Sequence, residues 1–195
     1  MPLSFITDPV AFVPPAGGAA DFIDWGQFPN SGPIPFPAKG GCACVSQSGL
    51  ACSIFIKNKH LAQRVQDGGA SETSWDGSFS PGDVLLFTDF TRGPLEFNFQ
   101  NPIRGFGGQM NVQDAVEHVT LAISAFADNS RLTIPQNGTR TDGAASNAGD
   151  GSAPFLGVID SVAARITRVV FSLTVLDPGY RGDSSFAINR LRLIL

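Results

Sequence analysis

Alternation at every second position organises the middle of the chain. Leu95, Phe97 and Phe99 alternate with Glu96, Asn98 and Gln100, and Val119, Leu121, Ile123 and Ala125 alternate with His118, Thr120, Ala122 and Ser124. A period of two puts one set of side chains in a core and the other in water, so each run predicts a half-buried strand. Residues 83–88 (DVLLFT) read as another strand, and three extended apolar runs follow at 153–158, 165–175 and 185–195. The last of these breaks phase. Phe186 and Ile188 share one parity, whereas Leu191, Leu193 and Leu195 share the other. A bulge near Asn189 and Arg190 would return all five to one core.

The N-terminal part is less regular. Asp8 before Pro9 predicts a capped helical turn, residues 21–25 a short strand, and 29–41 a Pro/Gly loop. A hairpin of 43–47 with 51–57 follows, then a single helical turn over 60–66. Residues 131–135 predict a short strand, and 139–152, rich in Gly, Ala, Asn and Asp, a long surface loop. About ten strands joined by turns, with one or two short helical turns, specify an all-β fold. The expected architecture is an antiparallel β-sandwich of jelly-roll type, with residues 1–195 as a single domain.

Composition narrows the function classes. Sixteen Phe against two Trp and one Tyr indicate apolar filling of a core. A net charge of −4 with scattered basic residues excludes a nucleic-acid footprint. No run approaches the roughly 20 apolar residues of a membrane-spanning helix. The start, MPLSFITD, has neither a basic n-region nor an apolar h-region, so no signal peptide is expected in the chain as it stands.

Cys42, Cys44 and Cys52 are an odd number of thiols within eleven positions. A bridge from Cys44 to Cys52, or from Cys42 to Cys52, would staple the hairpin. Zinc would need a fourth ligand, and the nearest histidine is His60. A structural calcium ion fits loop carboxylates and backbone carbonyls better, with Asp21 and Asp24, or Asp142, Asn147 and Asp150, as candidate ligands. Serine-type catalysis has only His60 and His118 to draw on and no Gly-x-Ser-x-Gly elbow. Asp76, Asp83, Asp89, Glu96 and Glu117 could in principle supply a glycosidase pair. Most of these are turn residues, whose side chains cap local amides. Arg181-Gly182-Asp183 is an integrin-type tripeptide, and a tight turn accounts for it.

The run from Trp75 to Thr88 (WDGSFSPGDVLLFT) resembles a segment of a group of secreted bacterial β-sandwich domains. Residues 94–109 (PLEFNFQNPIRGFGGQ) are similar to a strand pair of the same group, and 153–158 with 186–189 to its closing portion. Such domains often precede a PEP-CTERM sorting tail and resemble jelly-roll modules of the carbohydrate-binding kind. The resemblance implies fold and an extracellular or cell-surface setting, and carries no catalytic residues. This chain has no sorting tail or leader to match.

The expected function is therefore an extracellular, non-catalytic binding or structural module whose partner is a glycan or another extracellular protein. Trp75, Asp76 and Tyr180 are the expected ligand-binding residues, because amphipathic aromatics stack on sugar faces. Alternatives are self-association through edge strands into a surface layer or filament, and a carbohydrate-active enzyme.

Overall fold

The computed structural model describes residues 3–29, 33–34, 41–57, 60–67, 74–75, 78–88, 93–112, 119–128, 130–132, 138–141, 149–176 and 185–195. Their strands are β1 (Leu3–Ile6), β2 (Ala20–Ile23), β3 (Cys42–Val45), β4 (Ala51–Ile56), β5 (Ala62–Gln66), β6 (Ser74–Trp75), β7 (Val84–Phe87) and β8 (Leu95–Ile103). They continue with β9 (Gly105–Val112), β10 (Val119–Ala127), β11 (Ser130–Arg131), β12 (Gly138–Thr141), β13 (Phe155–Asp160), β14 (Ile166–Val175), β15 (Phe186–Ile188) and β16 (Leu191–Ile194). One short 3-10 helix, Trp25–Gln27, is the only helix among the described residues.

The strands form two sheets. The nine-stranded sheet runs β1-β13-β9-β15-β7-β5-β6, with β16 placed between β9 and β2. The seven-stranded sheet runs β11-β10-β14-β8-β4-β3, with β12 also on β10. Pairing is antiparallel except for the two-residue contact of β5 with β6. From β8 onward the chain passes repeatedly from one sheet to the other, as a jelly-roll requires. The all-β sandwich expected from the alternation is the fold observed.

The core lies between the sheets. Phe106 of β9 reaches across to Phe171 of β14 at 5.0 Å and to Phe97 and Phe99 of β8 at 6.3 and 6.4 Å, centroid to centroid. Tilted and edge-on rings at these separations add to the free energy of burial. Leu95, Phe97, Leu121 and Ile123 are fully buried, so the period-two runs sit as their pattern requires. The outer face of the nine-stranded sheet is covered as well. Phe12, from the segment after β1, packs edge-on against Phe155 with Ile159 and Ile194, and Trp75, Phe79, Leu85 and Phe87 form a third cluster. Coverage on both faces explains why β13 is a continuous apolar run rather than an alternating one.

The 60–66 segment is strand β5, not the expected helical turn. Its pairing with β7, Ala62 against Phe87 through Val65 against Val84, overrides a weak local preference. Asp8 caps a lone turn: its carboxylate accepts the Val10 amide at 2.8 Å and its carbonyl accepts Ala11. The expected 21–25 strand ends at Ile23, where Asp24 caps the 3-10 helix.

The phase break in the last strand is a bulge. Ile188 pairs with Met110 and Arg192 with Gly107, so residues 189, 190 and 191 oppose only 108 and 109. Phe186, Ile188, Leu191 and Leu193 all reach the core, and Leu195 packs against it. The bulge is also where β15 and β16 change neighbours, from β7 to β2.

Candidate functional site

The sheet forks at this bulge. β7 begins at Val84 and β2 ends at Ile23, both alongside the break, and the two strands part there. A groove of about 340 Å³ opens between them on the outer face, lined by Asp24, Asp83, Gln109, Asn189, Arg190 and Arg192 among others. Bulges recur beside functional sites because the extra residue redirects a side chain. Here the redirected side chain is Asn189.

Asn189 is the hub of the groove floor. Its Oδ1 accepts the Gln109 amide at 2.9 Å, and its Nδ2 donates to Gln109 Oε1 at 2.7 Å and to Asp83 Oδ2 at 3.3 Å. From the core side, Trp25 Nε1 donates to the Asn189 carbonyl at 2.9 Å. Gln109 in turn donates to the carbonyls of Gly151 and Ala153, at 2.7 and 3.0 Å. Two linked carboxamides, Asn189 and Gln109, therefore tie β9, the β7 entry and the 149–153 segment together.

Charges line the rim. Asp24 Oδ1 accepts the Gly26 amide at 2.9 Å, and its Oδ2 accepts Arg190 Nη2 at 2.8 Å. The Arg190 guanidinium lies 4.4 Å from the Phe22 ring centroid. Arg192 Nη1 donates to the Pro9 carbonyl at 2.9 Å, and its guanidinium sits 5.6 Å from the Phe155 ring. Asp83 Oδ2 also accepts the Ser80 amide at 3.3 Å, and Gly82, at φ +84°, turns the chain into that position. The groove presents two carboxylates, two carboxamides and two guanidiniums, a set that hydrogen-bonds hydroxyl-bearing ligands.

A second, more open recess lies on the outer face of the seven-stranded sheet. Its polar groups satisfy one another: Arg168 bonds Glu96 at 3.1 Å and lies over Phe126 at 3.9 Å, and Asn98 donates to Glu96 at 2.9 Å. The fork groove, with unfilled hydrogen-bonding capacity, is the stronger candidate.

The expected ligand-binding and metal residues fare differently. Trp75 is 3% exposed, edge-on to Phe79 and Phe87 at 5.8 and 5.7 Å. It fills a core and has no free face for a sugar. Asp76, Tyr180 and Asp142 lie outside the described residues. Asp21 is buried and accepts the Ser48 hydroxyl at 2.6 Å, the Ser48 amide at 3.2 Å and the Phe22 amide at 2.8 Å. Burial pushes its carboxyl up, and hydrogen bonds from Ser46, Ser48 and the two amides outweigh this, so the net shift is downward. Asp150 accepts the Ser152 amide at 3.0 Å. Asp21, Asp24 and Asp150 thus serve local backbone, hydroxyl and guanidinium donors. Among the described residues no three His, Cys, Asp or Glu side chains converge as a metal site would need.

Cys44 and Cys52 stand directly opposite across β3 and β4, yet all three cysteines are free, buried thiols. The expected Cys44–Cys52 bridge is absent from the structure, and the Cys52 thiol donates to the Ser53 carbonyl at 3.8 Å. The facing Cys44 thiol, then burial, pushes the Cys52 thiol far up, and burial followed by the Cys44 charge raises Cys42. Protonated, enclosed thiols are poor nucleophiles and pack as small apolar groups. Of the carboxylates considered for a glycosidase, Asp83 lines the groove and Glu96 lies on the opposite sheet, so these two do not converge.

Sequence reasoning located the bulge but not the residues gathered around it. Gln109, Asn189, Arg190 and Arg192 carried one usable signal, the parity change along the last strand.

No family model matches this chain, and no curated protein matches it. Among solved structures, it is similar to a DUF4465 family protein from Bacteroides caccae ATCC 43185, with 10% identity over 97% of this chain and 98% of that one and a TM-score of 0.46. It is also similar to TmCBM61, a carbohydrate-binding module solved in complex with β-1,4-galactotriose, with 9% identity over 72% of this chain and 86% of that one and a TM-score of 0.34. Both are distant likenesses.

Proposed function

We propose that this chain is a non-catalytic binding module that holds a glycan in the fork groove. The observation that carries the reading is a recess of about 340 Å³ whose floor is fixed by Asn189 and whose rim, at Arg192 and Asp83, keeps donors and acceptors without partners among the described residues. Sugars present dense, directional hydroxyls, and planar amide, carboxylate and guanidinium groups meet them in pairs. A floor already locked by hydrogen bonds loses little freedom on binding, which favours affinity from a shallow site. Both oxygens of Asp24 are occupied, by the Gly26 amide and Arg190, which supports binding over chemistry. The resemblance to exported sandwich domains supports an extracellular setting.

The test is a glycan array followed by calorimetry on the best ligand. Arg190→Ala should weaken binding about tenfold or more without changing the melting temperature appreciably, since the Arg190 side chain is 56% exposed. Trp75→Ala should lower stability and leave affinity intact. Full affinity in Arg190→Ala, or an array without a single ligand, overturns the reading. Turnover of a bound glycan overturns its non-catalytic part.

A further inference from the structure

We infer that the groove selects an acidic saccharide, with a uronate carboxylate held side-on by Arg192. This rests on the glycan reading above and adds the charge of the ligand.

The two rim arginines differ in what they have left to give. Arg190 is paired with Asp24 through Nη2, so its charge is met within the protein and its Nε–Nη2 edge is broken up. Among the described residues Arg192 hydrogen-bonds a neutral carbonyl alone, that of Pro9, through Nη1. Among the described residues no carboxylate pairs with Arg192. Its Nε and Nη2 form the side of the guanidinium whose two parallel N–H groups match the two oxygens of a carboxylate. Elsewhere in this chain the same edge already grips a carboxylate, through one oxygen: Arg165 Nε and Nη2 both reach Asp160 Oδ2, at 2.7 and 2.6 Å.

The Pro9 bond and the Phe155 ring hold Arg192 before any ligand arrives, which lowers the ordering cost of a bidentate contact. Asp83 sets the other end of the preference. Its Oδ2 takes the Ser80 amide and Asn189, while Oδ1 has no partner among the described residues and can accept a sugar hydroxyl. A carboxylate beside Asp83 would be repelled, so the acid group belongs at Arg192 and hydroxyls belong at Asp83. A neutral glycan would leave the Arg192 edge unmatched.

Calorimetry on the full chain tests this with trisaccharides of galacturonate, glucuronate and mannuronate, each alongside its methyl ester. Esterification removes the charge and keeps every hydroxyl. At least one free acid should bind about tenfold or more tightly than its ester, with the advantage shrinking as salt is added. Arg192→Lys and Arg192→Gln should each erase most of that advantage, read as the ratio of acid to ester affinity within each variant, with melting temperatures measured in parallel. Equal binding of acid and ester in every series overturns the acidic preference while leaving the glycan reading in place. Retention of the preference in both variants overturns the role of Arg192. Binding of neither form in any series sinks this inference, and the array decides separately whether the glycan reading falls with it.

Discussion

Replacing Asn189 by Asp exchanges one amide nitrogen for an oxygen and tests the hub of the groove directly. The carboxamide Nδ2, 2.7 Å from Gln109 Oε1 and 3.3 Å from Asp83 Oδ2, would become a carboxylate oxygen facing two acceptors. Gln109 cannot turn its amide to compensate without giving up its bonds to Gly151 and Ala153. Two unit charges about 3.3 Å apart repel by about 5 kcal/mol at an effective dielectric of about 20, and by roughly half that in a groove open to water. The lost donor bonds add about 1 kcal/mol each. Some relaxation is certain, so Asn189→Asp should cost about 3 kcal/mol at pH 7. For a chain of this size that lowers the melting temperature by about 6–12 °C.

The penalty should also depend on pH in a definite direction. Like charge holds the introduced carboxyl above its unfolded-state value in the folded protein, so protonation favours the folded form. The deficit is then full above the raised folded value and fades as pH falls through it toward about 4. Thermal melts at several pH values, with Asn189→Ala as the uncharged control, read this out. The control should cost about 2 kcal/mol independently of pH. A deficit in Asn189→Asp below about 1 kcal/mol at pH 7, or one that does not shrink on acidification relative to Asn189→Ala, would refute the hub geometry.

Two further predictions concern the scaffold. The lowered Asp21 carboxyl stabilises the fold above its unfolded value and stops doing so as pH falls through the folded one. Asp21→Asn should therefore cost about 1–2 kcal/mol at neutral pH, with the gap to wild type closing in urea titrations as pH falls below the usual carboxylate range; a gap that persists in strong acid would contradict the assignment. Gly107→Ala should cost about 2–3 kcal/mol, because a Cβ there would stand 2.6 Å from Phe155 Cζ, 2.9 Å from Gly157 Cα and 3.0 Å from the Leu156 carbonyl oxygen. Two of those neighbours are backbone and cannot step aside, so an unchanged melting temperature would mean that β9 and β13 lie further apart than described.

The fold was legible in the sequence because a sandwich is built from a repeating local rule. Leu95-Phe97-Phe99 and Val119-Leu121-Ile123 announce which face is buried, and the sheets place them there. Where the rule failed, a non-local contact had won. Residues 60–66 offer no strong periodicity, and β7 recruits them as a strand. Trp75 looked like a platform because it follows a polar loop, yet Phe79 and Phe87, on chain segments beyond it, enclose it. Cys44 and Cys52 were correctly placed as neighbours across a hairpin, and spacing says nothing about whether facing thiols are joined.

The site illustrates a different limit. Its six named lining residues come from four separated segments, and contacts such as Arg190 with Asp24 span 166 positions of sequence. No local pattern encodes that. What the sequence does carry is the parity change between Ile188 and Leu191, which fixes that an extra residue must be accommodated. The structure then shows why that accommodation matters: the bulge places the Asn189 side chain on Gln109 and Asp83 at the point where β15 and β16 exchange one neighbour for another. A strand that kept strict alternation from Phe186 to Leu195 would place Leu191 and Leu193 on the solvent face and leave Gln109 without its partner. The apolar residues force the bulge, and the bulge opens the groove. In this chain, core packing and the candidate site are set by the same three residues, 189–191, opposing two.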